Sequence, residues 1–543
     1  MDQAATATMP APRGGSVFDQ KFGAKAARGP GARLVTGLFA AVVLGGLAYA
    51  VWRLMTDLSQ SHEQGELPFL LLGVALLIAL GFEFVNGFHD TANAVATVIY
   101  THSLSPSIAV VWSGMFNFLG VLTSSGAVAF SVISLLPVEL ILQVSSAAGF
   151  AMVFALLIAA IIWNLGTWAL GLPASSSHTL IGSIIGVGIA NSLMHGQSGT
   201  AGVDWGQAAQ IGYALLLSPL VGFCCAAVMY LLLRRLVRRP ELYAEPQGSR
   251  PPPLWIRGLL IFTCTGVSFA HGSNDGQKGM GLIMLILVGT VPTVYALNRT
   301  ADAPHTRQFV EAAAGLDAAL AAHGGAAPAA GDPRLAVTAY VRDKALQPET
   351  VPALRRLAGG IAEQVRGYGE LRALPDEVVP NVRNDMYLAG EALRLMEKQR
   401  DPAFTPDQLR DVSAYHALLN RATRFIPDWV KVAVAIALGL GTMVGWKRIV
   451  VTVGEKIGRT HMSYGQGASA ELVAMGTIAA ADMYGLPVST THVLSSGVAG
   501  TMAASGAGLQ LATLRNLMLA WVLTLPAAIC LSAGLFWIFL HVF

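Results

Sequence analysis

The chain has 543 residues, 54% of them hydrophobic and only 12% charged, where soluble domains carry about 25% charged residues. The net charge of +3 is small and dispersed, which excludes the basic face of a nucleic-acid binder. All four cysteines (Cys224, Cys225, Cys264, Cys530) lie in apolar runs, which argues against a disulfide framework or a thiolate metal site.

The expectation is an all-α polytopic membrane protein. Residues 1–33 are rich in Pro, Gly and Ala and carry Arg13, Lys21, Lys25, Arg28 and Arg33, so a disordered cytoplasmic tail is expected. Runs of about 20 apolar residues cross a bilayer. Eleven candidates follow, near 34–54, 68–98, 108–134, 149–170, 173–194, 208–233, 255–290, 427–446, 466–484, 487–505 and 513–541. The first, 34–54, is an extra N-terminal span. It contains "LAYA" (Leu47–Ala50), which would suit a signal peptidase, but a retained anchor is expected.

With the N-terminus inside, the basic loop 234–254, with "RRLVRR" (Arg234–Arg239), falls on the cytoplasmic side. So does "WKRIVVTVGEKIGR" (Trp446–Arg459). Both obey the positive-inside rule. Residues 298–426 differ in kind: they hold 16 Lys+Arg and 16 Asp+Glu, 32 of the 67 charges in the chain. Proline breaks and helical apolar spacing there predict a neutral helical soluble domain. The orientation puts that domain and the C-terminus on the periplasmic side of a bacterial inner membrane.

Four short motifs recur in pairs. "NGFHD" (Asn86–Asp90) resembles "HGSND" (His271–Asp275), and "GLPASSSH" (Gly171–His178) resembles "GLPVSTTH" (Gly485–His492). The separation from Asp90 to Gly171 is 81 residues and from Asp275 to Gly485 is 210. The difference of 129 is the length of the charged segment 298–426. That segment is therefore inserted into the second copy. The first repeat is read as 68–233, and the second as 255–297 resumed at 427–543. The first copy enters the membrane from outside and the second from inside. About five spans each make an inverted-topology repeat, an architecture of secondary transporters.

Such transporters bind substrate near the midplane on interrupted helices or hairpins, and the polar motifs are expected to interrupt their helices. A proline before a run of hydroxyls leaves free N–H donors at a helix start, which with the dipole suits an anion. Two such starts could grip a tetrahedral oxyanion from both sides. Asp and Asn oxygens suit hard cations, and acids at that depth are costly enough to be functional. The motifs together indicate anion-plus-cation symport. No tightly bound cofactor, structural metal or nucleic-acid partner is indicated.

"NGFHDTANAVATVIYT", "IIWNLGTWALGLPASSSHTLIG", "HGSNDGQKGMGL" and "GLPVSTTHVLSS" resemble the inorganic phosphate transporter (Pit) family, its bacterial members most closely. The resemblance runs from about Pro68 to Phe543 and leaves out the first 65 residues. It implies a homodimer in the lipid bilayer with phosphate held between two hairpins, by Ser175, Ser176 and Ser177 and by Ser489, Thr490 and Thr491. It implies cation or proton sites at Asp90 and Asn93 and at Asn274 and Asp275. Sodium-coupled members look like Asn-Asp-x-x-Asn in both halves. Here His89 stands at the first Asn and Lys278 at the second closing position. An ammonium there would repel sodium and could neutralise Asp275. Bacterial members resembling this chain are thought to couple to protons and carry a neutral metal–phosphate complex, with Mg or Ca as the co-transported metal.

Plainer readings stand beside these. Glu83, seven residues before Asp90, is either a coupling group or half of a structural salt bridge with Lys278. His178 and His492 are expected to stabilise the hairpins by hydrogen bonds. Trp163, Asn164 and Trp168 read as packing residues, as do Asn117, Thr123 and Ser125. Rival functions are sulfate or sodium-coupled phosphate symport on the same fold, and a membrane sensor or receptor. An intramembrane enzyme would need a nucleophile–base pair, and the adjacent Ser177–His178 rarely gives that geometry. No ATP-binding G-x-x-x-x-G-K-[S/T] loop occurs, so the energy source is an ion gradient.

Overall fold

The fold is known from a computed structural model. It describes residues 30–59, 67–136, 141, 146–196, 203–246, 250–298, 303–324, 331–369 and 371–542, without the side chains of 30–33, 35, 67–68, 88, 90–93, 303–306 and 372. The side chains of Asp90 and Asn93, two of the expected cation-site residues, therefore lie outside the described residues, as does the tail before Pro30.

Helices account for about four-fifths of the described residues, and no strand occurs among them beyond one isolated bridge between Gly458 and Leu509. In order they are α1 (Pro30–Ser59), α2 (Leu67–Tyr100), α3 (Pro106–Thr123), α4 (Ala127–Ile133), α5 (Ala147–Ala169), α6 (Ser176–Met194), α7 (Trp205–Leu236) and α8 (Leu254–Thr290). Then come α9 (Ala303–Ala321), α10 (Pro333–Asp343), α11 (Thr350–Tyr368), α12 (Val379–Gln399) and α13 (Pro406–Thr423). The last are α14 (Asp428–Thr442), α15 (Lys447–Val451), α16 (Tyr464–Met483), α17 (Thr490–Ser505) and α18 (Leu511–Val542), with single turns between some of them.

Eight of these, α1 to α3, α5 to α8 and α18, are long and apolar enough to cross a membrane, against eleven expected. The shortfall has physical causes. Helix α14 has 15 residues and α17 has 16, short of the ~20 that span hydrocarbon. Helix α16 has 20 residues but carries Gln466, Glu471 and Asp482. The run expected over 108–134 is two helices, broken at Ser124–Gly126, where Gly126 adopts φ +86°.

A second expectation holds for the two Gly-Leu-Pro motifs, which lie between helices, and fails for the other two. Those two do not interrupt their helices: α2 passes through "GFHDTANA" and α8 through "AHGSNDGQKGMG" without a break. Their glycines serve close packing instead. A Cβ on Gly87 would lie 2.3 Å from Leu438 O of α14, and one on Gly272 would lie 2.1 Å from Asn117 O of α3. Each motif helix thus presses backbone to backbone on a neighbouring helix, α2 on α14 and α8 on α3.

The exchange repeats further on. Gly182 of α6 meets Leu525 O of α18, and Gly222 of α7 meets Val493 O of α17. Helices α7 and α18 carry an internal proline each, Pro219 and Pro526. The buried apolar side chains form two cores in the membrane body and a third within α9–α13, built on residues such as Leu316, Tyr340, Leu354, Met386 and Tyr415.

Candidate functional site

The two Gly-Leu-Pro sequences make the same turn. After α5, Gly171 adopts φ +69° and Leu172 N–H reaches back to Thr167 O at 3.0 Å. After α16, Gly485 adopts φ +63° and Leu486 N–H reaches Ala481 O at 2.9 Å. A left-handed residue just past a helix end satisfies its last carbonyls, and glycine does so without a Cβ penalty. Each chain then reverses, and a hydroxyl caps the returning helix. Ser175 Oγ accepts from His178 N–H at 3.2 Å and Ser489 Oγ from His492 N–H at 3.1 Å.

The two helix starts meet inside the protein. Ser175, Ser176, Ser177, Ser489, Thr490 and Thr491 are all buried. Ser177 Oγ donates to Val488 O of the opposite hairpin at 2.8 Å. His178 and His492 stack with ring centroids 4.7 Å apart, and His492 lies 4.2 Å from the Trp521 ring. The hydrogen bonds expected of these two histidines are made by their backbone N–H groups. Nδ1 of His178 and Nε2 of His492 have no partner among the described residues. Behind the pair opens a cavity of about 680 Å³ with mostly apolar walls, including Pro219, Phe223, Leu517 and Trp521.

Asp275 joins the hairpins to α8. Its carboxylate accepts from Lys278 Nζ at 2.6 Å and from Thr490 Oγ1 at 3.3 Å, and His271 Nε2 lies 3.3 Å away. Lys278 Nζ also donates to Ser177 Oγ at 2.6 Å. One lysine therefore links the acid of the second repeat motif to the hydroxyl run of the first hairpin. Asp275 and Lys278 are both fully buried, so the pair is cut off from water. His271 Nδ1 faces Asn117 Oδ1 of α3 at 2.9 Å, so oxygen acceptors face both of its ring nitrogens.

The remaining expected residues divide. Asn274 Nδ2 donates to Leu486 O of the second turn at 3.2 Å. His89, at the matching position of the first motif, places Nε2 2.8 Å from Asn164 O and 3.2 Å from Thr167 Oγ1, tying α2 to α5. Glu83 does not form the salt bridge considered for it, because the ion-pair partner of Lys278 is Asp275. Glu83 instead accepts from Asn86 at 3.4 Å and packs on Gly279, where a Cβ would lie 2.3 Å from Oε1. The described residues hold no group of three or more His, Cys, Asp or Glu that could ligate a metal.

Comparison with known proteins gives this geometry its context. The phosphate transporter family matches residues 86–532, beginning at the first residue of "NGFHD". The chain is 42% identical over 489 residues to the low-affinity inorganic phosphate transporter PitA of Escherichia coli (strain K12), covering 87% of this chain and 97% of that one. The chain belongs to the phosphate transporter family. It is also 42% identical over 492 residues to PitB of the same strain, covering 87% of this chain and 97% of that one. A solved structure described as the sodium-dependent phosphate transporter aligns at 18% identity with a TM-score of 0.46, covering 87% of this chain and 100% of that chain. As a member of this family the chain is a multi-pass membrane transporter, not an enzyme.

Three polar groups of this transporter, two of them buried, escape motif reading. Asp482 of α16 accepts from Ser273 Oγ at 2.6 Å and from Gln277 Nε2 at 2.5 Å, so the second motif is braced from the hairpin side. Glu471, fully buried on the same helix, accepts from Thr263 of α8. Thr179 Oγ1 donates to Asn164 Oδ1 at 2.9 Å. The two acids had a signal, being carboxylates in an apolar run, but neither belongs to a repeated motif.

Proposed function

We propose that this protein imports inorganic phosphate by proton symport, as a neutral metal–phosphate complex, binding it where the two hairpins meet. The observation that carries the reading is the bridge Asp275–Lys278–Ser177 together with Thr490–Asp275. It couples a buried acid to hydroxyls of both hairpins, so an event at one is felt at the other.

The hydroxyls of Ser175 and Ser489 already cap their helices, so their part is to aim the first turns. Ser176, Ser177, Thr490 and Thr491 are the direct phosphate ligands in this reading. Phosphate oxygens offer Lys278 a stronger acceptor than Ser177 Oγ, because hydrogen bonds between ions exceed those to neutral groups. Asp275 released from Lys278 can then take a proton. Charge balance favours a neutral cargo. Lys278 and Asp275 cancel, so a lone phosphate dianion would enter a desolvated site with nothing to balance it, which low dielectric penalises heavily. A divalent cation travelling as cargo removes that cost. Asp90, Asn93, Asn274, His89 and Glu83 complete the coupling set, with His89 and Asn274 holding the motif helices to the hairpins.

The reciprocal packing of α2 on α14 and α8 on α3, and of α6 on α18 and α7 on α17, supports an inverted repeat of about five spans per half. The matching Gly-Leu-Pro turns support it too. Residues 298–426 are then an extracytoplasmic insertion, with the chain in a bacterial inner membrane, its N-terminus cytoplasmic and its C-terminus periplasmic. A homodimer is the expected assembly. The test is uptake of labelled phosphate into proteoliposomes under an imposed pH gradient, with and without Mg²⁺ and Na⁺. Uptake driven by the pH gradient, raised by Mg²⁺ and suppressed by excess arsenate but not by sulfate, is expected. Uptake that needs Na⁺ and ignores the pH gradient overturns the coupling. Stronger competition by sulfate than by arsenate overturns the substrate.

A further inference from the structure

Where α12 and the end of α13 meet the membrane body lies a small cavity of about 40 Å³. By the measure in which one water needs ~10–15 Å³, it holds about three water-sized groups. Two guanidiniums line it, Arg383 from α12 and Arg424 just past α13, with Phe130, Tyr387, Met284 and Val288 among its walls. Arg424 is anchored: Nη2 donates to Glu391 Oε1 at 2.7 Å, and the guanidinium lies 5.9 Å from the Phe130 ring centroid.

Arg383 is not matched in this way. It is only 8% exposed, and its Nε has no partner among the described residues. Nη1 donates to Asn384 Oδ1 at 3.0 Å and the guanidinium sits 5.1 Å over the Tyr387 ring, but no carboxylate pairs with it among the described residues. Burial lowers its pKa from the ordinary arginine value, yet a guanidinium stays charged in proteins. A buried charge without a counter-ion is costly, and proteins seldom keep one. The surroundings deepen the imbalance. Glu391 is shared by Arg424 and Arg394, and Asp204 by Arg394 and Lys344. Of the two guanidiniums that line the cavity, Arg424 therefore shares its carboxylate with Arg394, and Arg383 has none among the described residues.

We propose that this cavity is an oxyanion site, in which Arg383 and Arg424 hold a phosphate-type group at the junction of the inserted helices and the membrane body. The guanidinium fork presents paired N–H donors to such a group. The ligand is either free inorganic phosphate or the phosphate of an anionic lipid headgroup, since the cavity lies against the ends of α4 and α8. The site is remote in sequence from the hairpins and does not depend on what they transport.

The experiment uses full-length purified protein and two variants, Arg383→Gln and Arg383→Lys. In one arm, thermal unfolding in neutral-detergent micelles is followed against sodium phosphate, with sodium chloride at matched ionic strength as control. In the other, protein in phosphatidylcholine nanodiscs is compared with protein in discs containing phosphatidylglycerol, without free phosphate. Wild type should be stabilised in at least one arm, and that arm names the source. Arg383→Gln should need at least tenfold more of that anion for half the effect, with Arg383→Lys between. In the absence of either anion Arg383→Gln should unfold no lower than wild type, because it removes an unpaired charge. An unchanged anion response in Arg383→Gln overturns the proposal. So does an equal loss of stability with and without anion, which marks Arg383 as a structural brace. If Arg383→Gln does not fold, Arg383→Lys alone decides, and a wild-type response from it counts against the site. Phosphate uptake by the same variants is scored separately, so loss of transport in a hairpin variant leaves this result standing.

Discussion

Lys278→Met is the most informative single change. It removes the ammonium from a pair in which both side chains are fully buried and the contact is 2.6 Å. The Asp275 carboxylate keeps Thr490 Oγ1 and His271 Nε2, each at 3.3 Å, and loses its shortest partner. Breaking a buried ion pair by deleting one member costs about 3–5 kcal/mol, because the survivor is left charged without compensation. Asp275→Asn should cost a similar amount by stranding Lys278 against Ser177 alone. Deleting both charges together is often neutral or stabilising. The double variant Lys278→Met/Asp275→Asn should therefore unfold near wild type, which makes the coupling between the two sites about as large as either single loss.

Transport should follow a different pattern. Each variant breaks the Asp275–Lys278–Ser177 chain, at the acid, at the lysine or at both, so all three should lose uptake by roughly a hundredfold or more, about 3 kcal/mol at ~1.4 kcal/mol per tenfold. The assays are thermal unfolding in detergent and uptake per folded molecule in proteoliposomes. Additive destabilisation in the double variant would refute the pairing. Full uptake by a stable Lys278→Met would refute its part in coupling.

Two further outcomes follow from other parts of the molecule. Gly272→Ala drives a Cβ to 2.1 Å from Asn117 O and should destabilise by at least ~1–3 kcal/mol, whereas Gly258→Ala on the same helix meets nothing within 4 Å and should be neutral or slightly stabilising in the same unfolding assay. At the foot of α7, burial raises the Asp204 pKa, but the Lys344 hydrogen bond, the Gln207 N–H and the charges of Lys344 and Arg394 outweigh it and leave it below 3.8. A depressed carboxylate stabilises above its ordinary pKa and loses that contribution as pH falls through the folded value. Hydrogen exchange in α10 and α12 should therefore be faster in Asp204→Asn than in wild type at pH 7, with the difference closing only as acid takes the pH down through the depressed folded value; a difference that acid leaves unchanged contradicts the assignment.

The membrane class and the family were legible because both rest on composition and on long motifs. The helix count was not, since an apolar run does not show where its helix ends, and α14 stops at 15 residues and α17 at 16. The unbroken course of α2 and α8 was also hidden. Glycines and polar residues in an apolar run resemble a break, and only the packing of Gly87 on α14 and Gly272 on α3 shows why the helix tolerates them. Pairing across the fold was the least visible. Nothing in "HGSNDGQK" indicates that Ser273 and Gln277 are spoken for by Asp482, more than 200 residues on, or that Lys278 reaches Ser177.

The repeated motifs are therefore not lists of ligands. In "NGFHD" and "HGSND" the glycine is a packing residue, needed wherever two helix backbones touch. The residue before the acid, His89 or Asn274, fastens the helix to a neighbouring element through a backbone carbonyl. In "ASSSH" and "VSTTH" the first hydroxyl is an N-cap, Ser175 or Ser489, and fixes the direction of the helix that follows. Left over from these packing and capping duties, and in mutual contact, are Asp275 and Lys278 from α8 with Ser177 and Thr490 from the hairpins. A change at any of these packing or capping positions would move the groups they hold in place. Lys278 pairs with Asp275 and carries that contact on to Ser177 of the first hairpin.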